Sequence, residues 1–132
     1  YIIKNIDKDM VSKLKPSIFL KKFMKRGKTM CHNYPTKDID KKFNKNSFDA
    51  ILIIHTFHHM MDVSNILSKA GQVLKLGGKI YLEEYERNYG EKLDNCPWFS
   101  SGKIKSMLKK AGFKSIQKHN FHKDFVMISA MK

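Results

Sequence analysis

The sequence predicts an α/β fold, a doubly wound, mostly parallel sheet that ends in an antiparallel hairpin. Apart from Asp49, Phe48 to Ile54 is an apolar run, which is typical of a strand buried on both faces of a parallel sheet. Segments with helical spacing alternate with strand-like segments, and the chain after Gly112 alternates apolar and polar residues. Because no linker or repeat interrupts the sequence, we expect one domain over residues 1–132.

Two short strands and a helix are expected before the apolar run. Tyr1 to Ile6 is apolar and β-branched, which predicts a parallel strand. Apolar residues recur at helical spacing from Asp9 to Phe23, where Pro16 predicts a short or broken helix. Thr29 to Asn33 predicts a second short strand.

A helix and a parallel strand are expected after the apolar run. Asp62 or Ser64 can cap a helix whose apolar residues recur at helical spacing up to Leu74. The turn Leu76-Gly77-Gly78 ends this helix, and Lys79 to Tyr85 predicts the next strand.

The C-terminal third predicts a further helix and the hairpin. Ser100 or Ser101 opens the helix, and Gly112 closes it. Lys114 to His119 and Phe125 to Met131 then alternate as a terminal antiparallel pair does.

The composition is that of a basic, globular protein with a net charge of +14. Arg26 and Arg87 are the only arginines, whereas recognition of phosphates and base edges favours the guanidinium group. A solvated lysine surface is therefore the simpler interpretation, and Lys21 to Lys28 is the best candidate location for an anionic partner. Cys31 and Cys96 are far apart, and no apolar stretch could span a membrane, so we expect an intracellular, cytoplasmic protein.

Four short motifs follow one another along the chain: Phe48-Asp49, His58-His59-x-x-Asp62, Leu74-Lys75-x-Gly77-Gly78 and Ala111-Gly112-Phe113. Their order and spacing resemble class I S-adenosylmethionine-dependent methyltransferases of the small-molecule-like branch. In that family the first motif opens the fourth strand, the second leads into the next helix, the third feeds the fifth strand and the fourth precedes the last hairpin. The resemblance implies a Rossmann-like methyltransferase sheet and S-adenosylmethionine as the cofactor.

One part of the family pattern is missing from the sequence. The glycine-rich loop after the family's first strand has no counterpart, and the segment from Tyr1 to Asp7 resembles the second strand instead. We therefore expect an N-terminally incomplete domain that runs from the second strand to the C-terminus. Because a gap in mid-sheet would leave backbone groups of buried strands unpaired, either preceding residues of the parent protein or another segment should fill it.

The resemblance also implies where the cofactor binds. Asp7, at the carboxyl end of its strand, would accept hydrogen bonds from the ribose hydroxyls, with a role in a turn as the alternative. Asn33 and Asp38 both remain candidates for the contact to adenine.

Three histidines lie where the resemblance places the mouth of the cofactor cleft. His55 and His59 are the candidate catalytic residues, which line the substrate pocket or take a proton, with capping of the strand-to-helix turn as the alternative. The spacing of His55, His58 and His59 could in principle collect a zinc ion. However, His55 falls at the end of the strand and no other ligand cluster is evident, so the sequence predicts no metal.

Glu83, Glu84 and Tyr85 end the fifth strand on the same edge, where a carboxylate could meet a cationic or hydroxyl-bearing substrate. Glu84 and Tyr85 are the candidates for binding it. A solvated strand end is the alternative. Trp98 and Phe99 favour packing over stacking on a base.

The sequence therefore predicts an S-adenosylmethionine-dependent methyltransferase domain, which is an enzyme if the parent protein supplies the glycine-rich loop. The substrate would be a small molecule or an RNA. A non-catalytic methyltransferase-like scaffold, whose protein partner completes the fold, is one alternative. A lysine-rich protein that binds nucleic acid or methylates RNA is the other.

Overall fold

The computed structural model describes residues 2–3, 39–91 and 96–132. Its strands are β1 (Ile2–Ile3), β2 (Phe48–Ile54), β3 (Leu74–Tyr85), β4 (Lys114–His122) and β5 (Phe125–Met131). Its helices are α1 (Ile39–Lys42), α2 (Val63–Val73), α3 (Arg87–Gly90) and α4 (Ser101–Lys110), with a 3₁₀ helix at Phe57–His59. The predicted helix from Asp9 to Phe23, the predicted strand from Thr29 to Asn33 and the basic segment Lys21 to Lys28 lie outside the described residues.

The five strands form one sheet in the order β1-β2-β3-β5-β4. β2 and β3 run parallel, while β5 lies antiparallel between β3 and β4. The predicted Rossmann-like α/β fold and its C-terminal antiparallel hairpin are thus confirmed. Among the described residues, no helix has the length and apolar character needed to cross a membrane.

The predicted direction of the first strand is wrong. Ile2 and Ile3 pair antiparallel with β2, opposite Ile51 and Ala50, on the side of β2 that faces away from β3. Within the described residues, β2–β3 is accordingly the one parallel pair, and the other three pairs are antiparallel. A run of β-branched residues predicts a strand, because such residues favour the extended, buried positions of a sheet. The same run can pair parallel or antiparallel with its neighbour, so the sequence does not fix the direction.

The predicted turn at Leu76-Gly77-Gly78 lies inside β3 as an irregularity. The register passes from Phe48 opposite Leu74 directly to Ala50 opposite Lys79, so the residues between Leu74 and Lys79 bulge outwards. Gly77 has φ of 76°, and a Cβ on Gly78 would lie 2.8 Å from the carbonyl oxygen of Lys75. Both positions therefore require glycine.

The core lies between the sheet and helices α2 and α4. The buried residues of α2 recur at helical spacing: Val63, Ile66, Leu67, Ala70 and Val73. Ile104 and Leu108 are the buried residues of α4, and they join the same cluster. The hydroxyl of Ser100 accepts a hydrogen bond from the backbone N–H of Lys103, so Ser100 is the cap of α4.

The start of β2 is tied to the bulge in β3. Lys75 Nζ lies 2.9 Å from Asp49 Oδ1, and both side chains are partly exposed. Two of the four motifs that carry the resemblance therefore contact each other in the structure, at the amino ends of the two parallel strands.

Candidate functional site

The candidate site lies at the edge of the sheet where the carboxyl ends of β2 and β3 meet. Open α/β sheets bind their ligands at this edge, because the loops that follow parallel strands converge there. His55 directly follows β2, and Glu83, Glu84 and Tyr85 end β3.

His55 turns the chain out of β2 in a left-handed backbone conformation. Its φ is 48°, which costs a residue with a side chain roughly 1–3 kcal/mol. Its backbone N–H donates to the carbonyl oxygen of Glu83 over 2.9 Å, which ties it to β3. This geometry ends the strand and directs the chain into the 3₁₀ helix Phe57–His59.

The His55 imidazole packs between a carboxylate and two aromatic rings. Its Nε2 lies 3.1 Å from Oε1 of Glu83. The centroid of its ring lies 4.7 Å from that of Tyr85 and 5.3 Å from that of Phe125. Nδ1 of His55 is buried and has no hydrogen-bond partner within residues 39–91 and 96–132. A bound ligand can supply the hydrogen bond that a buried polar atom of this kind lacks.

Burial raises the pKa of the Glu83 carboxyl above its usual value, and the neighbouring His55 opposes that shift. The carboxyl therefore holds a proton more readily than an exposed glutamate does. Together His55 and Glu83 form a hydrogen-bonded pair that can accept one proton at the edge of the sheet.

Glu84 faces the other side of β3, because successive side chains of a strand alternate between the two faces. It is 3% exposed. Its Oε1 accepts a hydrogen bond from the backbone N–H of Phe57 over 2.6 Å, and its Oε2 lies 2.8 Å from Nδ1 of His58. The carboxylate thus holds the 3₁₀ helix against β3 and fixes the orientation of the His58 ring.

Trp98 covers the His58 ring. The two rings stack with centroids 3.7 Å apart and planes inclined by 23°. A Cβ on Gly90 would lie 2.3 Å from the indole, so the end of α3 must be glycine for Trp98 to occupy this position. His59 is exposed beside this stack, and its Nδ1 lies 3.4 Å from Sγ of Cys96.

The structure brings together some of the predicted site residues and separates others. His55 and Tyr85 are in contact, whereas Glu84 lies below the surface on the opposite face of β3, near His58 and His59. The three predicted cofactor contacts, Asp7, Asn33 and Asp38, lie outside the described residues.

Sequence reasoning missed three features of the site. It did not pair Glu83 with His55, although alternation along β3 could have separated Glu83 from Glu84. It assigned Trp98 to packing but placed neither Trp98 nor Cys96 beside the histidines, because residues so far apart in sequence carry no shared pattern.

A cavity of about 440 Å³ lies at the other end of the sheet. Asn46 precedes β2, Gly112 precedes β4 and Lys132 follows β5, and all three line it. It therefore opens at the amino ends of the parallel strands, away from the edge at which such sheets bind ligands.

The sequence profile of the methyltransferase domain family matches residues 5–82. The chain belongs to this methyltransferase family. The predicted recognition is thereby confirmed, and the predicted S-adenosylmethionine dependence agrees with the relatives and solved structures. The matched range includes Asp7, the three histidines His55, His58 and His59, and β3 with its bulge up to Leu82.

One sequence relative and two solved structures illustrate the similarity. Phosphoethanolamine N-methyltransferase 2 of Caenorhabditis elegans is 27% identical over 88 residues, which are 60% of this chain and 20% of that protein. A SAM-dependent methyltransferase from Archaeoglobus fulgidus superposes with a TM-score of 0.71 at 13% identity, over 97% of this chain and 74% of that one. Haemonchus contortus phosphoethanolamine N-methyltransferase 2, solved with S-adenosyl-L-methionine, gives a TM-score of 0.57 at 17% identity, over 68% of this chain and 34% of that one.

The chain spans about a fifth of the length of the Caenorhabditis elegans methyltransferase. The described residues offer polar groups that a ligand at the carboxyl edge could engage. His55 with its left-handed backbone, its buried Nδ1, which has no hydrogen-bond partner among the described residues, and the largely buried Glu83 all lie at the carboxyl edge of the parallel strands.

Proposed function

We propose that this methyltransferase domain belongs to an enzyme that transfers a methyl group from S-adenosylmethionine to a small-molecule nucleophile. The observation that supports this most directly is the His55–Glu83 pair. It is a proton-accepting pair at the carboxyl edge of the two parallel strands, in a chain that belongs to the methyltransferase domain family.

Asp7 and one of two candidate residues would hold the cofactor. Asp7 would accept hydrogen bonds from the ribose hydroxyls, and Asn33 or Asp38 would contact the adenine. The bound cofactor supplies a methyl group on a sulfonium, which is already electrophilic. The protein therefore needs mainly to align the nucleophile with that methyl group and to exclude water.

His55 and Glu83 would receive the proton of the attacking group. With its Nε2 beside the Glu83 carboxylate, His55 is held in place at the carboxyl edge of β2 and β3. An amine or hydroxyl that attacks the methyl group loses a proton, and the pair would accept it. His59 lies beside His58, on the other face of β3 from Glu83, and its predicted catalytic role stays a prediction.

The aromatic rings beside His55 indicate the class of substrate. Tyr85 and Phe125 lie with centroids 4.8 Å apart and form one wall with the imidazole. Aromatic faces attract cations, so this wall suits an amine or ammonium substrate. Phosphoethanolamine, which the name of the Caenorhabditis elegans relative specifies, is the first compound to test. An intracellular, cytoplasmic location and a protein partner that completes the fold remain predictions.

Calorimetric titration of the protein with S-adenosylmethionine tests the cofactor site. We expect Asp7→Asn to weaken binding by roughly 1–3 kcal/mol, because the ribose hydroxyls would lose a charged acceptor. Asp62→Asn is the matched control, since Asp62 is exposed and makes no capping hydrogen bond with its side chain. Absence of cofactor binding by the full-length protein would contradict the proposal and favour the scaffold alternative.

Methyl transfer from labelled cofactor to phosphoethanolamine and related amines tests the role of His55. If the imidazole accepts the proton, His55→Gln should lower kcat by about 100-fold or more, with a smaller change in KM. The loss should shrink as the pH rises and the amine deprotonates in solution. An unchanged kcat in His55→Gln would refute the catalytic role and leave His55 as a residue of the pocket wall.

A further inference from the structure

A second cluster of ligand atoms lies on the Glu84 face of β3, beside His58. One ring nitrogen of His58, one of His59 and Sγ of Cys96 lie within 4.8 Å of one another. Nδ1 of His59 and Sγ of Cys96 are 3.4 Å apart. Two ligands of a tetrahedral zinc ion, with Zn–N of about 2.0–2.1 Å and Zn–S of about 2.3 Å, lie about 3.5 Å apart. This pair therefore already has the spacing of two zinc ligands.

His58 is oriented as a metal-binding histidine usually is. Its Nδ1 faces Glu84 Oε2 over 2.8 Å, so Nε2 is the nitrogen that remains for an ion. A carboxylate on the second ring nitrogen fixes the tautomer and raises the basicity of the ligating nitrogen. Glu84 is itself held by the backbone N–H of Phe57, and Trp98 stacks on the imidazole. The ring is thus fixed before an ion arrives.

Two imidazoles and a thiolate form a ligand set that prefers zinc or a similar transition-metal ion over magnesium or calcium. His59 is exposed and Cys96 is partly exposed, so an ion can enter from solvent. We propose that His58, His59 and Cys96 bind a zinc ion, which leaves the fourth position to water or to a ligand heteroatom. Binding would form two Zn–N bonds and one Zn–S bond, and the thiol proton would pass to solvent.

The proposal revises the sequence prediction of no metal. That prediction considered a set of three histidines, in which His55 was the unsuitable member. In the structure His55 pairs with Glu83 instead. The third ligand is Cys96, which lies 37 residues beyond His59 in the sequence. The site goes beyond the proposed methyl transfer and does not depend on it.

Competition with a chromophoric zinc chelator measures the affinity of the purified protein. We expect one zinc ion per chain with a Kd below about 1 μM, and no comparable binding of magnesium. Cobalt(II) in place of zinc should give a thiolate-to-metal charge-transfer band in the near ultraviolet. Calorimetry in buffers of different ionisation enthalpy should show the release of the Cys96 proton.

Four variants locate the site. Cys96→Ser should abolish the charge-transfer band and weaken zinc binding by about 100-fold or more, whereas Cys31→Ser, at the other cysteine of the chain, should leave both unchanged. Glu84→Gln should weaken binding by about 10- to 100-fold without removing the band, because it alters the orientation of a ligand and not the ligand set. His55→Gln should bind zinc as the unmodified protein does.

Failure of the protein to bind zinc would overturn the proposal, as would equal effects of Cys96→Ser and Cys31→Ser. Fluorescence of Trp98, the single tryptophan, checks that each variant remains folded. Should Cys96→Ser unfold, His59→Asn removes another ligand from an exposed position, and it should lower the affinity with the fold intact. Loss of zinc with unchanged binding of S-adenosylmethionine would separate this site from the proposed cofactor site.

Discussion

Replacing Glu84 by alanine should be among the most destabilising changes at the candidate site. The side chain is 3% exposed, and its two oxygens serve two different groups, the Phe57 N–H at 2.6 Å and the His58 imidazole at 2.8 Å. Glu84→Ala would leave both groups buried without that partner. Each such loss costs about 1–3 kcal/mol, so we expect the free energy of unfolding to fall by about 2–6 kcal/mol.

Urea denaturation followed by Trp98 fluorescence measures this loss. The indole stacks on His58, so its emission reports the region that the variant disturbs. For a protein of this size the denaturant slope is about 1–3 kcal/mol per molar urea, and the midpoint should fall by about 1 M or more. The loss is a large fraction of the roughly 5–15 kcal/mol that holds a domain folded.

Two controls separate hydrogen bonding from charge. Glu84→Gln keeps an oxygen for the Phe57 N–H, and its amide can donate to His58, so it should cost about 1 kcal/mol or less. Glu91→Ala removes a surface carboxylate that pairs with Arg87 one helical turn away, and it should cost no more than about 0.5 kcal/mol. If Glu84→Ala were as mild as Glu91→Ala, the two buried hydrogen bonds would not contribute as argued.

Three further predictions concern packing and pH. Gly90→Ala should displace Trp98 and shift its emission, because the added methyl group would meet the indole at 2.3 Å, whereas Gly102→Ala has open space and should be neutral or slightly stabilising. Leu67→Ala should cost about 2–5 kcal/mol in urea denaturation because Leu67 is fully buried, while Met61→Ala, at 89% exposure, should change stability little. Burial, with a contribution from a nearby lysine, lowers the pKa of His119 below 6.5, so the unfolded chain binds this proton more readily. Stability should therefore fall as the pH drops below about 6.5, and His119→Gln should flatten that dependence in denaturation curves recorded across this range.

The sequence by itself determined the order of the elements and the edge at which the site lies. The apolar run at β2 and the helical spacing in α2 both reflect burial, and both can be recognised from residues that are close together in the sequence. Because β2 and β3 are parallel neighbours, their carboxyl ends lie side by side. The sequence alone therefore indicated that His55 and Tyr85 lie at the same edge of the sheet. Ser100 or Ser101 was expected at the start of α4 for the same kind of local reason, since a cap satisfies backbone groups a few residues away.

The direction of β1 and the pairing of side chains across the site were decided only by the tertiary structure. The periodicity of apolar residues indicates which residues are buried, but it does not indicate whether a short edge strand runs parallel or antiparallel to its neighbour. Glu83 and Glu84 are adjacent in sequence, yet one pairs with His55 and the other with His58, because the strand places them on opposite faces. Cys96 reaches His59 across 37 residues, and no local pattern encodes that contact, because it depends on how the chain between them packs.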